Sequence, residues 1–220
     1  MSAGQRLSEQ FPALDALSGV AHAFTLRVPG IEVSRDKAEA LARLDAHHRE
    51  IRKEHGLEGV PFVTAQQVHG NRIGVVEAAT VDGACFESCD GLITNQRGMC
   101  LGIYVADCCA VFIVDPVRQA IGLVHSGKKG TELGITSQAI RAMAEHFGSR
   151  AADLVVQLSP CIRPPHYETD FAGEIVRQCN DFGVTAHDCG VCTACDLNRY
   201  YSYRAEKGRT GRMLAVLALR

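Results

Sequence analysis

Four runs within residues 91–125 are apolar almost throughout, without polar alternation: 91–94, 100–105, 110–114 and 120–125. A strand that shows one face to water alternates apolar and polar side chains. Runs without that alternation belong to a sheet covered on both faces. Turn residues separate them, and Asp115-Pro116 forces the break before the last. Two further strands are expected at 62–68 and 73–77, divided by the turn His69-Gly70-Asn71-Arg72. Others are expected at 154–158 and 212–219.

Helices punctuate this β texture. Asp36 with Glu39 three residues on reads as a capping box, and Leu41, Leu44, His48 and Ile51 follow at helical spacing until Gly56. Residues 131–147 predict a second helix, with Ile135, Ala139, Ala142 and Met143 on one face and Gly148 as its stop. A third helix is expected over 171–182 and a short one over 197–204. The fold class that follows is mixed α/β, with helices outside a β core.

The 220 residues carry 23 basic and 25 acidic side chains, so no nucleic-acid footprint is present. No N-terminal signal segment and no bilayer-length apolar stretch is legible, so a cytoplasmic address and no membrane partner are expected. Ten cysteines is a high count for a reducing compartment. Their scatter, with Cys100 and Cys109 inside apolar runs, favours buried thiols and metal ligands over disulfides.

His69, Cys108 and His125 each stand at the end of a strand-like run. Two imidazoles and a thiolate form a three-ligand zinc set that leaves a fourth position for water or substrate. The plainer reading makes them strand-end histidines and a small buried apolar residue. The shared setting favours the trio.

Six motifs then occur in one order: Gln67-Val68-His69-Gly70; Ala106-Asp107-Cys108; Val124-His125-Ser126-Gly127; Ser159-Pro160-Cys161-Ile162; Tyr167-Glu168; and Cys192-Thr193 through Ser202-Tyr203-Arg204 to Thr210-Gly211-Arg212-Met213. From about Phe24 to the C-terminus the chain resembles the laccase-domain family of multifunctional purine nucleoside enzymes. The resemblance implies a layered α-β-β-α sandwich with a mixed β core, and a single enzyme domain over residues 1–220. It implies zinc on His69, Cys108 and His125, with purine nucleosides and phosphate as partners. It also implies phosphorolysis of adenosine, inosine, guanosine and methylthioadenosine, with deamination of adenosine beside it.

The resemblance fails at two places. The usual H-A-G-W-R-G is here His125-Ser126-Gly127-Lys128-Lys129-Gly130, and Val28-Pro29-Gly30-Ile31 replaces an N-terminal glycine pair. Lysine keeps arginine's charge but loses its bidentate fork, and the missing Trp removes a stacking face for a purine. Arg27, Lys128, Lys129 and Arg204 are the cations at motif positions, and Gln67 completes the expected substrate contacts. Lys128 and Lys129 also read as an ordinary solvated loop. Gly127 and Gly130 precede the helix expected at 131, whose first N–H groups favour anions. Catalytic roles fall to Cys108, His125 and Asp107. Asp107 orients a ligand or takes a proton, or is simply a hydrogen-bonded strand-end residue. Zinc with an open position would activate water for attack on C6 of adenosine.

Three other readings stay open. His166-Tyr167-Glu168 with Cys192-Thr193-Ala194-Cys195 mimics the two halves of a zinc nucleobase deaminase, although Val191 replaces the expected proline. Cys189, Cys192 and Cys195 resemble part of an iron–sulfur run that lacks its fourth cysteine. Cys108 and His125 without metal could form the nucleophile–base pair of an amide hydrolase, such as one editing peptidoglycan precursors. A non-catalytic zinc-binding domain is the remaining alternative. No clustered H-x-H or H-C-H supports a multicopper oxidase. Oligomeric state is not legible.

Overall fold

The computed structural model describes residues 7–220. In chain order the elements are β1 (Ser8–Glu9), α1 (Pro12–Asp15), β2 (Val20–Thr25), α2 (Lys37–Glu54), β3 (Phe62–Ala65), β4 (Ile73–Val75), β5 (Cys85–Phe86) and β6 (Gly91–Thr94). Then follow β7 (Cys100–Val105), β8 (Cys109–Asp115), β9 (Ala120–Ser126), α3 (Lys128–Glu132) and α4 (Ile135–Phe147). Next come β10 (Val155–Leu158), α5 (Phe171–Asp181), β11 (Ala186–Asp188) and β12 (Met213–Leu219). They build two mixed six-stranded sheets, ordered β1-β2-β12-β7-β3-β5 and β11-β10-β8-β9-β6-β4.

The uninterrupted apolar runs have a direct cause in this layering. Phe112, Leu123, Met213, Ala215 and Leu217 point between the sheets. Alternate residues of the same strands point outward, Leu214 and Val216 toward α2 with Ile51, and Val111 and Ile113 toward α4 and α5 with Met143 and Ile175. Both faces of both sheets are therefore dry, and the chain is an α-β-β-α sandwich in one domain.

Several sequence expectations shift locally. The strand expected over 62–68 stops at Ala65, because Gln67 and His69 adopt left-handed backbone with φ of 63° and 61°. Its partner across the turn joins the other sheet. The helix expected over 131–147 is two: α3 begins three residues earlier, and Gly134 at φ 71° breaks the chain before α4. Gly127 is thus a helix cap, and Gly130 lies within α3. No helix forms over 197–204, where Asp196 instead anchors turns by accepting from the Arg199 and Tyr200 amides. The α2 start is as expected, with Asp36 accepting from the Glu39 amide at 2.8 Å. Glu39 does not reciprocate, since Ser34 and Arg43 take its carboxylate. Strand β2 went unread because Ala21, His22 and Ala23 carry little β signal.

What matters for function is one end of the sandwich. The 106–108 link crosses from β7 in one sheet to β8 in the other, and β9 ends beside it. Because β12 runs antiparallel to β7, with Met213 opposite Val105, the chain entering β12 arrives at the same end.

Candidate functional site

His69, Cys108 and His125 converge at that end, with their ligand-capable atoms all within 4.8 Å of one another. Cys108 Sγ lies 4.0 Å from His69 Nε2, and the two imidazoles meet edge to face at 4.8 Å between centroids. His125 is buried, Cys108 half-buried and His69 exposed, so the trio opens to solvent on one side.

Asp90, fully buried just before β6, organises the group. Its Oδ1 accepts from His125 Nδ1 at 2.9 Å and from the His69 amide at 2.8 Å. Its Oδ2 accepts from the Val68 and Gly70 amides at 3.1 and 2.8 Å. One carboxylate thus aims His125 Nε2 at the site and pins the left-handed turn that presents His69. Non-glycine residues hold such backbone only where their surroundings enforce it. Burial opposes charge on Asp90, but the bonds from His125 and Gly70 outweigh it and hold the carboxyl below its usual range.

Gln67 braces the same turn from the other side. Its amide donates to Tyr104 O at 2.6 Å and accepts from Tyr104 N at 3.0 Å, extending the β3–β7 ladder with a side chain. Both polar ends of Gln67 are therefore committed to the fold, although it lines the cavity.

Burial resists charge on the Cys108 thiol, but His125 and hydrogen bonds from His125 and His69 bring it down to about 6. Burial also resists charge on His125, yet Cys108 and Asp90 raise it to about 9. A thiolate between two imidazoles, one backed by a carboxylate, is a donor set that zinc accepts. Among the described residues, the cavity lining offers no thioether for the axial position of a His₂Cys copper centre.

The trio floors a cavity of about 650 Å³. Lys37, Lys128, Lys129, Arg204 and Arg212 line it, with Tyr104, Tyr167, Phe171 and Tyr203. Burial and nearby Arg212 lower the Lys37 ammonium. Glu168 gathers the mouth, taking Arg204 Nη2 at 3.1 Å and Lys128 Nζ at 3.8 Å, while the Arg204 guanidinium lies over the Tyr167 ring at 4.6 Å. Lys129 is exposed and makes no ion pair among the described residues.

Two residues expected at the site do other work. Asp107 lines the cavity, but its carboxylate is taken by Thr193 Oγ1 and the Arg204 amide, both at 2.7 Å. That fixes the segment carrying Arg204. Arg27 is not among the lining residues; it pairs with Glu206 at 2.6 Å and packs over Tyr201 at 4.4 Å. Asp90, Lys37 and Arg212 were given no role from sequence. The one available signal was an Asp followed by Gly at the start of a fully apolar strand. Glu168, the glutamate of the deaminase-like His166-Tyr167-Glu168 motif, faces Arg204 and Lys128.

A family model described as multi-copper polyphenol oxidoreductase laccase matches residues 27–174 and 166–220. Purine nucleoside phosphorylase Cgl2154/cg2365 of Corynebacterium glutamicum is 28% identical over 190 residues, covering 74% of this chain and 76% of its own. Purine nucleoside phosphorylase YlmD of Bacillus subtilis is 25% identical over 197 residues, covering 72% and 71%. The crystal structure of YlmD from Geobacillus stearothermophilus has the same fold, with a TM-score of 0.85 at 21% identity over 98% of this chain and 97% of that one.

Proposed function

The chain belongs to the multi-copper polyphenol oxidoreductase laccase family, and on that premise we propose that it is a zinc-dependent purine nucleoside enzyme. Its reactions are phosphorolysis of nucleosides such as adenosine, inosine, guanosine and methylthioadenosine, and deamination of adenosine. The observation that carries the reading is the cavity itself, where a His₂Cys donor set lies beneath aromatic and cationic walls. Its relatives named purine nucleoside phosphorylase support the substrate class. No helix among the described residues is long and apolar enough to cross a membrane.

His69, Cys108 and His125 would hold the metal, and Asp90 fixes the His125 tautomer by accepting a hydrogen bond from its Nδ1–H. When bound, zinc supplies Lewis acidity at an open coordination position. Tyr203, exposed in the cavity lining, offers a ring on which a purine would stack in place of the Trp absent from the 125–130 segment. Lys37, Lys128, Lys129, Arg204 and Arg212 outnumber the lining acids Asp107 and Glu132, and Glu168 pairs with only two of them, which leaves positive charge for phosphate. In phosphorolysis a phosphate oxygen bonds to the anomeric carbon as the glycosidic bond breaks and the base leaves. In deamination water adds at C6 and ammonia departs.

Lys129 is the cation whose charge is least committed. Lys129→Ala should raise the apparent phosphate requirement of adenosine phosphorolysis about tenfold, and Lys129→Arg should preserve or improve it. Inosine formation, which needs no phosphate, should change much less. The assay follows adenine, inosine and hypoxanthine separately, with and without phosphate. Equal losses in both reactions would assign Lys129 to the nucleoside or the fold.

One observation favours a second reading. Cys108, His125 and Asp90 stand in nucleophile, base and carboxylate order, the arrangement of a thiol amide hydrolase.

A further inference from the structure

A second trio of soft donors lies on the loops behind the cavity wall. His166 sits in the turn where the Tyr167 amide donates to Arg163 O at 3.1 Å. Cys192 forms an isolated parallel β-bridge with Cys161 through the backbone, and Cys195 ends the short 3₁₀ turn Thr193–Cys195. Cys192 Sγ is 3.7 Å and Cys195 Sγ 3.6 Å from His166 Nδ1. All three donor atoms lie within 4.8 Å of one another.

Those separations can be compared with what zinc demands. Bonds of about 2.3 Å to sulfur and about 2.0–2.1 Å to nitrogen, at the tetrahedral angle, place N and S about 3.6 Å apart. Both observed N···S distances meet that value. The backbone already holds the donors: Cys161 N donates to Val191 O, Thr193 N to Cys161 O and Cys195 N to Cys192 O, each at 3.2 Å. The nucleoside chemistry uses none of the three, and Glu168 turns away toward Arg204 and Lys128.

We infer that His166, Cys192 and Cys195 bind a second zinc ion as a Cys₂His set whose fourth position faces solvent. The site ties the segment carrying Tyr167 to the one carrying Thr193, whose hydroxyl holds Asp107. It therefore braces one wall of the cavity rather than taking part in its chemistry.

The test counts metal by mass spectrometry and reads the thiolate-to-cobalt absorption band after Co²⁺ loading. Wild-type protein should carry about two zinc ions per chain and Cys108→Ser about one. Because Cys108→Ser removes the only thiolate of the first trio, the band it keeps belongs to the second. Cys108→Ser/Cys195→Ser should lose that zinc and most of the band. Cys108→Ser/His166→Ala should lose the zinc as well. His166 and Cys195 are exposed, so the fold should persist, which circular dichroism checks. Cys108→Ser protein without zinc or band overturns the inference, as does a band undiminished in both double variants. Neither readout depends on nucleoside turnover.

Discussion

Asp90→Ala should cost this protein both its metal and a large share of its stability. The carboxylate is fully buried and accepts four hydrogen bonds, three from consecutive amides at 68–70 and one from His125. Truncation leaves one buried and three part-buried donors without their acceptor, and at the low end of about 1–3 kcal/mol each a loss of about 3 kcal/mol or more is expected. For a chain of this size that lowers Tm by about 6–12 °C. The left-handed turn at His69 loses its enforcement, and His125 loses its orientation. A carboxylate that orients a metal-ligating imidazole in this way is worth about 10–100-fold in metal affinity. Asp90→Asn should fall between, because its amide nitrogen must face N–H donors whichever way it turns. Thermal melts with metal analysis check this. A variant that melts like wild type and keeps its zinc would remove Asp90 from the site.

Gly127→Ala should separate site from stability. A Cβ at 127 would lie 2.5 Å from Cys108 Sγ and 3.6 Å from His69 Cδ2. The backbone there, at φ −99° and ψ −175°, suits alanine, so the clash with the thiol is the whole effect. Cys108 must move by about an ångström, and displacement on that scale costs about 10²-fold in rate. Overpacking of one methyl costs about 1–3 kcal/mol, so the protein should stay folded. Zinc content and nucleoside turnover should fall together while the far-ultraviolet spectrum is retained. Full turnover in folded Gly127→Ala would show that Cys108 need not stay where the structure puts it.

These two residues mark where sequence reasoning reached and where it stopped. The dry faces of β6 to β9 and the trio His69, Cys108 and His125 were legible because each signal is local: a run without alternation, or a soft ligand closing it. Asp90 was not, because its role is created by amides 20 residues upstream and an imidazole 35 residues downstream. Lys37 comes from the start of α2 and Arg212 from the entry to β12, which the β7–β12 pairing brings to this end of the sandwich. Gln67 sits in a motif that suggests substrate contact, yet its amide completes a strand ladder. The 131–147 segment kept its apolar face but not its continuity, since Gly134 takes a left-handed turn that periodicity does not register. His166 with Cys192 and Cys195 was legible as a motif. Its mechanism was not, because the direction Glu168 faces is a tertiary fact.

The most direct measurement follows adenosine turnover by the purified protein through chelation and zinc re-addition, with His166→Ala protein in parallel. If His69, Cys108 and His125 hold a catalytic zinc, chelation abolishes product formation and zinc restores it, in wild type and in His166→Ala alike. Turnover indifferent to chelator but lost on alkylation of Cys108 would contradict the zinc mechanism and place Cys108 with His125 and Asp90 as a thiol hydrolase.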